Sequence, residues 1–426
     1  MTITELYSIY LQSSGIATDT RKIEKGNLFF ALKGSNFNGN AFAEQAIKNG
    51  ALGAVVDDIE LSNPEKGLFY FENSLFALQN LARYHRNQLH IPVIGLTGSN
   101  GKTTTKELIA SVLAEKYKVL YTQGNLNNHI GVPLTILSIN SKHEVAIIEM
   151  GANHLKEIEL LSSISQPSIG YITNFGRAHL EGFGGKDGVI KGKSELYTYL
   201  RKYNRYALVN TDEPLQVTLS DGIKRITFGS QGTYTFSHFE DQHRLSIQYQ
   251  DIAVNSQLTG DYNFSNLCAA FSLGLYFEID IEQIKKGIEN YTPQNQRSQI
   301  VEKNNVILVL DTYNANPSSM EVSLENFSHF KGSKSVIIGD MYELGIESAL
   351  EHQRILNLAE SLNFDFIYLV GNNFYSTIST NCNKIQKFHT TSDMADFLKN
   401  YTIPTKNILL KGSRAMALER LIEFLP

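Results

Sequence analysis

Cysteine is nearly absent from this sequence: 426 residues contain two, Cys268 and Cys382. They stand far apart without metal-ligand spacing, which argues against a disulfide framework and a zinc site and fits a reducing compartment. No apolar stretch approaches the roughly 20 residues a membrane-spanning helix needs. The first residues carry Glu5 and lack both a basic n-region and a long apolar h-region, so secretion is not signalled. The expectation is a cytoplasmic protein without a membrane span. A net charge of -5 with no long basic run removes the electrostatic footprint of a nucleic-acid binder, so any anionic ligand needs a local site. There is no low-complexity tract and no fixed-period repeat, so domain boundaries must be read from changes of pattern.

What is present is ordinary globular composition, 42% hydrophobic and 19% charged, on a chain long enough for about two to four domains. Two breaks stand out. Around residues 87–92 a helix-like stretch gives way to the run Val93-Ile94-Gly95-Leu96, and residues 291–296 form a polar connector. Between the breaks, strand-like runs at 92–97, 145–150 and 169–174 accompany a helical pattern at 103–116, which predicts a largely parallel sheet covered by helices. Beyond the second break, apolar runs at 306–310, 335–339, 366–370 and 407–410 alternate with helical segments. The last of these is expected to be a helix over 416–424, because Leu418, Leu421 and Ile422 fall at helical spacing. The fold class is therefore α/β with three domains, divided as 1–88, 89–296 and 297–426.

The segment Thr97-Gly98-Ser99-Asn100-Gly101-Lys102-Thr103-Thr104-Thr105 lies between an apolar strand and an amphipathic helix faced by Leu108, Ile109, Val112 and Leu113. That is the context of a phosphate loop. Glycines let backbone N–H groups close on phosphate oxygens, the helix N-terminus adds a favourable dipole, Lys102 supplies a cation, and the Thr103 hydroxyl can ligate Mg²⁺. Leu96 stands where the general motif has its first glycine, so Gly98 must serve. Glu149 ends the apolar run 145–149, where an unpaired carboxylate is costly unless a metal or cation compensates, and it is a candidate Mg²⁺ ligand. His179 follows the next strand on the face where ligands gather in open α/β sheets, and is a second candidate.

Four segments in this order resemble the Mur ligase family: the phosphate loop; Gly124-Asn125-Leu126-Asn127-Asn128-His129-Ile130-Gly131-Val132-Pro133; Glu149-Met150-Gly151-Ala152-Asn153; and Thr173-Asn174-Phe175-Gly176-Arg177-Ala178-His179. Asp311-Thr312-Tyr313-Asn314-Ala315-Asn316-Pro317, Gly339-Asp340-Met341-Tyr342-Glu343-Leu344-Gly345 and Lys411-Gly412-Ser413-Arg414 resemble the branch that adds D-alanyl-D-alanine to a UDP-N-acetylmuramoyl-tripeptide. The resemblance runs from about Thr18 to Leu421. It implies a small N-terminal α/β domain that binds the UDP moiety, a central phosphate-loop ATPase-type domain, and a C-terminal Rossmann-like domain, working as a monomer with ATP and Mg²⁺.

The resemblance also implies roles for residues. Gly98, Ser99, Asn100, Gly101, Lys102, Thr103, Thr104, Asn263, Asn266, Arg297 and Asp311 would bind ATP. Thr20, Arg21, Asn125, Asn127, Asn128, Asn314, Asn316, Lys411 and Arg414 would line substrate. Lys102, Glu149, His179, Lys193 and Arg297 would carry catalysis, with Thr103, Glu149 and His179 on metal. Lys193, in Lys191-Gly192-Lys193-Ser194-Glu195, matches a lysine that carries a carbamate and then ligates Mg²⁺; the residue by itself reads equally as a solvated surface lysine. Three departures from the family pattern occur: Tyr262 stands at a usual His, Gly-Lys-Ser-Glu replaces Ala-Lys-Gly-Glu, and the glycine before Arg297 is missing. Without the resemblance, Thr18-Asp19-Thr20-Arg21 and the run after it read as a turn plus an edge strand.

Overall fold

The structure is a computed structural model that describes the whole chain except residues 242, 243, 294, 295, 298 and 382, and the side chains of residues 240 and 241. Gln294 and Asn295 of the polar connector, Ser298 beside Arg297, and Cys382 thus lie outside the described residues. Cys268 is a buried free thiol.

The chain begins with α1 (Ile3–Tyr10), whose N-terminus is closed by a Thr2/Glu5 capping box. A parallel sheet of four strands follows, β1 (Ile16–Ala17), β2 (Leu28–Phe30), β5 (Gly53–Val56) and β6 (Leu68–Tyr70) in that order. Between β2 and β5 lie a short hairpin, β3 (Lys33–Gly34) with β4 (Phe37–Asn38), and α2 (Ala43–Lys48). The strand β2 is fully buried and paired on both sides, so the edge-strand reading of this region is corrected. Three consecutive apolar residues without alternation are what a parallel strand covered on both faces requires.

The long helix α3 (Ser74–Gln88) joins this sheet to the next unit. Leu78, Leu81 and Ala82 are buried, while Gln79, His85 and Arg86 reach backbone carbonyls of His129, Ile139 and Ser165 at 2.9–3.0 Å. Buried polar groups with such partners are fixed rather than merely tolerated.

The central sheet contains β7 (Val93–Thr97), β8 (Val119–Tyr121), β9 (Val145–Glu149), β10 (Ile169–Ile172), β11 (Tyr206–Asn210) and β12 (Lys224–Phe228). All pairings are parallel, in the order β12-β11-β10-β7-β9-β8. Its helices are α4 (Lys102–Leu113), α5 (Gly131–Leu137), α6 (Glu157–Ser165), α7 (Leu180–Phe183), α8 (Lys186–Lys202) and α9 (Pro214–Leu219). Strand periodicity divides the two cores: Ala146 and Ile148 join the side chains of α5, α6 and α8, whereas Val145 and Ile147 join α4.

The sequence reading did not anticipate the small antiparallel sheet of β13 (Ser237–Asp241), β14 (Arg244–Tyr249) and β15 (Ile252–Asn255). It buries Leu245, Ile247 and Val254 in the α4 core, where α10 (Phe264–Tyr276) and α11 (Ile281–Glu289) also pack.

The last unit has β16 (Gln299–Lys303), β17 (Val306–Asp311), α12 (Pro317–Ser328), β18 (Lys334–Gly339), α13 (Ser348–Ser361), β19 (Phe366–Val370), α14 (Asn372–Tyr375), β20 (Ile385–Phe388), α15 (Thr391–Leu398) and β21 (Asn407–Lys411). Its strand order is β16-β17-β21-β18-β19-β20, parallel except for the antiparallel β16 edge. The helix expected over 416–424 is corrected. The chain forms two 3₁₀ segments, Arg414–Met416 and Leu418–Phe424, separated by Ala417 at a left-handed φ of 50°. Leu418 and Leu421 are buried while Ile422 is half-buried. A spacing of three residues suits a 3₁₀ turn as well as an α-helix, so the pattern could not separate them.

Candidate active site

The C-terminal ends of β7, β9 and β10 in the central sheet face those of β17 and β21 in the last one across a cleft of about 1030 Å³. Between β7 and α4 the loop turns at Gly98 (φ 141°) and Gly101 (φ 79°), values that favour glycine. A Cβ at Gly98 would strike Thr173, and one at Gly101 would lie 2.9 Å from the Asn266 side chain. The loop is braced by β10's end. The backbone N–H of Ser99 donates to Asn174 O at 3.1 Å, Asn100 N–H to Asn174 Oδ1 at 3.1 Å, and the Thr173 hydroxyl to Asn100 O at 2.6 Å.

Lys102 curls over the loop, its Nζ donating to the carbonyls of Gly98 at 2.6 Å and Ser99 at 3.1 Å. Desolvation pulls its pKa down to about 8, Glu149 opposes that, and Arg297 reinforces it. An anion bound in the loop would raise that pKa again by favouring the charged form.

Glu149 is 2% exposed at the end of β9. Its carboxylate accepts from the Thr103 hydroxyl at 3.0 Å and Asn127 Nδ2 at 2.9 Å, and Lys106 Nζ stands 3.8 Å away. Among the described residues no group of three or more His, Cys, Asp or Glu could hold a metal ion alone. The donors Thr103 and Glu149 instead fit Mg²⁺, which takes few protein oxygens and completes its shell with water and phosphate. His179 lines the same cleft at φ 55°, and its Nδ1 pairs with Glu343 of the last unit.

Of the other residues singled out, Ser99, Asn100, Gly101, Thr103, Thr104, Asn125, Asn127, Asn128, Asn263, Asn266, Arg297, Asp311, Asn314, Asn316 and Lys411 all line the cleft. Asn263 and Asn266 form a chain in which Asn266 Nδ2 donates to Asn263 Oδ1 at 2.8 Å and Thr105 donates to Asn266 Oδ1 at 2.9 Å. Asn316 caps α12 and donates to Asn100 Oδ1 at 2.7 Å, joining the two walls. Lys411 pairs with Asp311. Arg297 lies 3.7 Å from the centre of the Tyr313 ring, with its Nε buried and unpartnered.

Four residues stand apart. Thr20 and Arg21 are in a 3₁₀ turn capped by Asp19; Arg21 pairs with that carboxylate at 2.8 Å, its side chain 87% exposed, and neither residue reaches the cleft. Arg414 approaches the Tyr313 ring at 4.9 Å without lining the cleft. Lys193 lies just behind the wall, and the surface-lysine reading is overturned: it is 1% exposed, donates to Ala152 O at 3.0 Å, and stands 5.0 Å from the centre of the Phe183 ring. Burial, and then Lys102, hold its pKa well below the usual lysine value, with Glu157 and Glu195 opposing.

The sequence reading missed Lys106, which is 1% exposed beside Glu149. The available signal was a lysine on the apolar face of α4, three residues before Ile109 and seven before Leu113. It also missed Lys186, Asp212 and Glu213, which line the cleft from loops and helix starts without a distinctive local pattern.

A strand–glycine loop–helix unit with a buried carboxylate at the neighbouring strand end defines a nucleotide-binding α/β protein of the phosphate-loop class, here with a second domain closing one wall of the site. Family comparisons narrow the class. Residues 96–274 match the Mur ligase middle domain, 296–414 the Mur ligase glutamate ligase domain, and 12–94 the Mur ligase family catalytic domain. The chain is 32% identical to the UDP-N-acetylmuramoyl-tripeptide--D-alanyl-D-alanine ligase of Bacillus subtilis, over 96% of this chain and 92% of that protein. Identity to the Escherichia coli protein of the same name is also 32%, over 99% and 95%. The crystal structure of MurF from Acinetobacter baumannii superposes with a TM-score of 0.88 at 31% identity, over 99% of this chain and 98% of that one. MurF ligase from Thermotoga maritima in complex with ADP gives 0.85 at 27%, over 97% of each. This chain belongs to the Mur ligase family.

Proposed function

We propose that the protein is an ATP-dependent, ADP-forming ligase that joins D-alanyl-D-alanine to UDP-N-acetylmuramoyl-tripeptide, making the UDP-muramoyl-pentapeptide used in peptidoglycan synthesis. The observation that carries this reading is the convergence in one cleft of the phosphate loop with Lys102, the buried carboxylate Glu149, and Asn314, Asn316 and Lys411 from the facing domain. Relatives bearing that ligase name over nearly their whole length, and a related structure in complex with ADP, agree with it.

In this reading a carboxylate oxygen of the tripeptide attacks the γ-phosphorus of ATP, and the bond to the bridging oxygen breaks to release ADP. The dipeptide amine then attacks the acyl carbon, loses a proton, and expels phosphate. The protein's task is to neutralise charge and exclude water, which would hydrolyse the acyl phosphate. Loop amides and Lys102 would hold the phosphates, Arg297 would meet the γ-phosphate, and Asn263 and Asn266 would meet the base. Thr103, Glu149 and His179 would hold Mg²⁺, which supplies further neutralisation of phosphate charge when bound. Burial disfavours the charged form of Lys193 and so favours the free amine that reaction with CO₂ needs, and as a carbamate it would add an anionic ligand. The working division of the chain is 1–88 for the UDP part, 89–296 for ATP and 297–426 for the dipeptide. Thr20 and Arg21 would meet the uridine end and Arg414 the dipeptide side. Among the described residues no helix is long and apolar enough to cross a membrane. A cytoplasmic monomer is the setting this reading assumes.

The test is phosphate release from ATP and Mg²⁺ with the two substrates supplied singly and together, followed by mass analysis. Release that needs both, with the pentapeptide mass, is expected; release with another acceptor or with none would overturn the assignment.

A further inference from the structure

The walls of the cleft belong to two domains connected through the single stretch 290–298, so their spacing depends on contacts across the gap. One of those contacts has an unusual construction. Glu351, on the first turn of α13, is 4% exposed, and its two carboxylate oxygens serve different domains. Oε1 accepts from Arg177 Nη1 of the central domain at 3.1 Å, while Oε2 accepts from Arg354 Nε of its own helix at 2.8 Å. Arg354 is itself held by Glu321 of α12 at 3.0 Å. The carboxylate is thus aimed and half-neutralised before Arg177 arrives.

Arg177 is gripped twice, because its backbone N–H also donates to Ser318 Oγ at 2.7 Å. It sits two residues before His179 on the loop between β10 and α7, the same loop whose Asn174 and Thr173 brace the phosphate loop. Were the domains to part, Glu351 would keep Arg354 and gain solvent, so no buried charge would be stranded. A pair built this way favours the closed spacing without locking it.

We propose that Glu351 is a positioning residue. By holding Arg177 across the domain boundary, it sets the distance between the His179 loop and the wall of Asn314, Asn316 and Lys411, and so governs use of the amino substrate. The inference rests on the ligase reading for its kinetic readout and on geometry alone for a second one.

The experiment uses the full chain and the variants Arg177→Gln, Glu351→Gln, Arg177→Lys and the double Gln variant. For each single Gln variant, kcat/KM for D-alanyl-D-alanine should fall about tenfold while the KM for ATP changes by less than about twofold. The double variant should be no worse than the poorer single, and Arg177→Lys should keep most of the activity. Small-angle scattering with ADP and Mg²⁺ should find both single Gln variants more extended than the wild type. Additive losses, wild-type kinetics, or equal dimensions would overturn the proposal. If Glu351→Gln fails to fold, Arg177→Gln carries the test, since that side chain is 41% exposed. If the wild-type chain does not ligate, the ligase reading fails, and scattering decides the positioning role separately.

Discussion

The central and C-terminal domains each place a six-stranded sheet with its strand ends toward the cleft, yet they arm it by different means. In the central domain the decisive element is backbone. Two glycines at positive φ aim a loop of N–H groups, and Thr173, Asn174 and Asn266 hold it. Among the described residues of the C-terminal domain no glycine lines the cleft. After β17 the chain reaches Asn314 and Asn316 and enters α12 through an Asn316/Ser319 capping box. Asp340, at the end of β18, is absorbed internally by the N–H groups of Asn373 and Phe374. One wall therefore suits phosphate, whose recognition is fixed by geometry common to every nucleotide. The other presents side chains, which can be matched to one substrate.

This contrast can be broken in graded steps. If Lys102 holds the transferred phosphoryl group as proposed, Lys102→Met should lower the ligation rate by roughly a thousandfold in a phosphate-release assay, because that cation is lost. Its melting temperature should hold, since Nζ bonds only to loop carbonyls. Gly98→Ala should weaken nucleotide binding by about a hundredfold in calorimetry, because the added Cβ meets Thr173 and displaces the loop. On the opposite wall Asn316→Ala should act more mildly. About tenfold in kcat/KM for the dipeptide is expected, together with about 1 kcal/mol of stability through the lost cap, read by denaturant unfolding.

The smallest effect concerns acid stability of the C-terminal domain. Buried His352 accepts the Met341 N–H at Nε2 (3.0 Å), leaving Nδ1 to donate to Ser348 O at 2.7 Å. Burial holds its pKa below the ordinary value of 6.5, with Ser348 and Asp340 opposing. The unfolded chain then binds the proton first. Stability from this site is complete above the ordinary value and is lost as pH falls below it. Thermal unfolding at about pH 7.5 and 5.5 should record a decline that His352→Gln flattens.

The phosphate loop and the parallel sheet around it were legible because their signals are local. Apolar runs such as Val145 to Ile148 report burial on both faces of a strand, and glycines beside a Gly-Lys-Thr segment report a turn opening a helix. The 237–255 sheet was not legible: its inward residues Leu245, Ile247 and Val254 alternate over too few positions to separate from a loop. The chain end misled because the three-residue spacing of Leu418 and Leu421 satisfies two helix periods at once.

The sequence alone determined the strand–loop–helix unit, the carboxylate at the end of β9, and the family to which the motifs point, because each depends on residues within a few positions of one another. Tertiary structure decided the rest. It placed Lys106 beside Glu149, buried Lys193 against Ala152, paired His179 with Glu343 and Arg177 with Glu351, and kept Thr20 and Arg21 away from the cleft. Those facts rest on contacts between segments up to 174 positions apart. Desolvation and charge pairing of that kind arise only when the domains pack, and no local pattern encodes them.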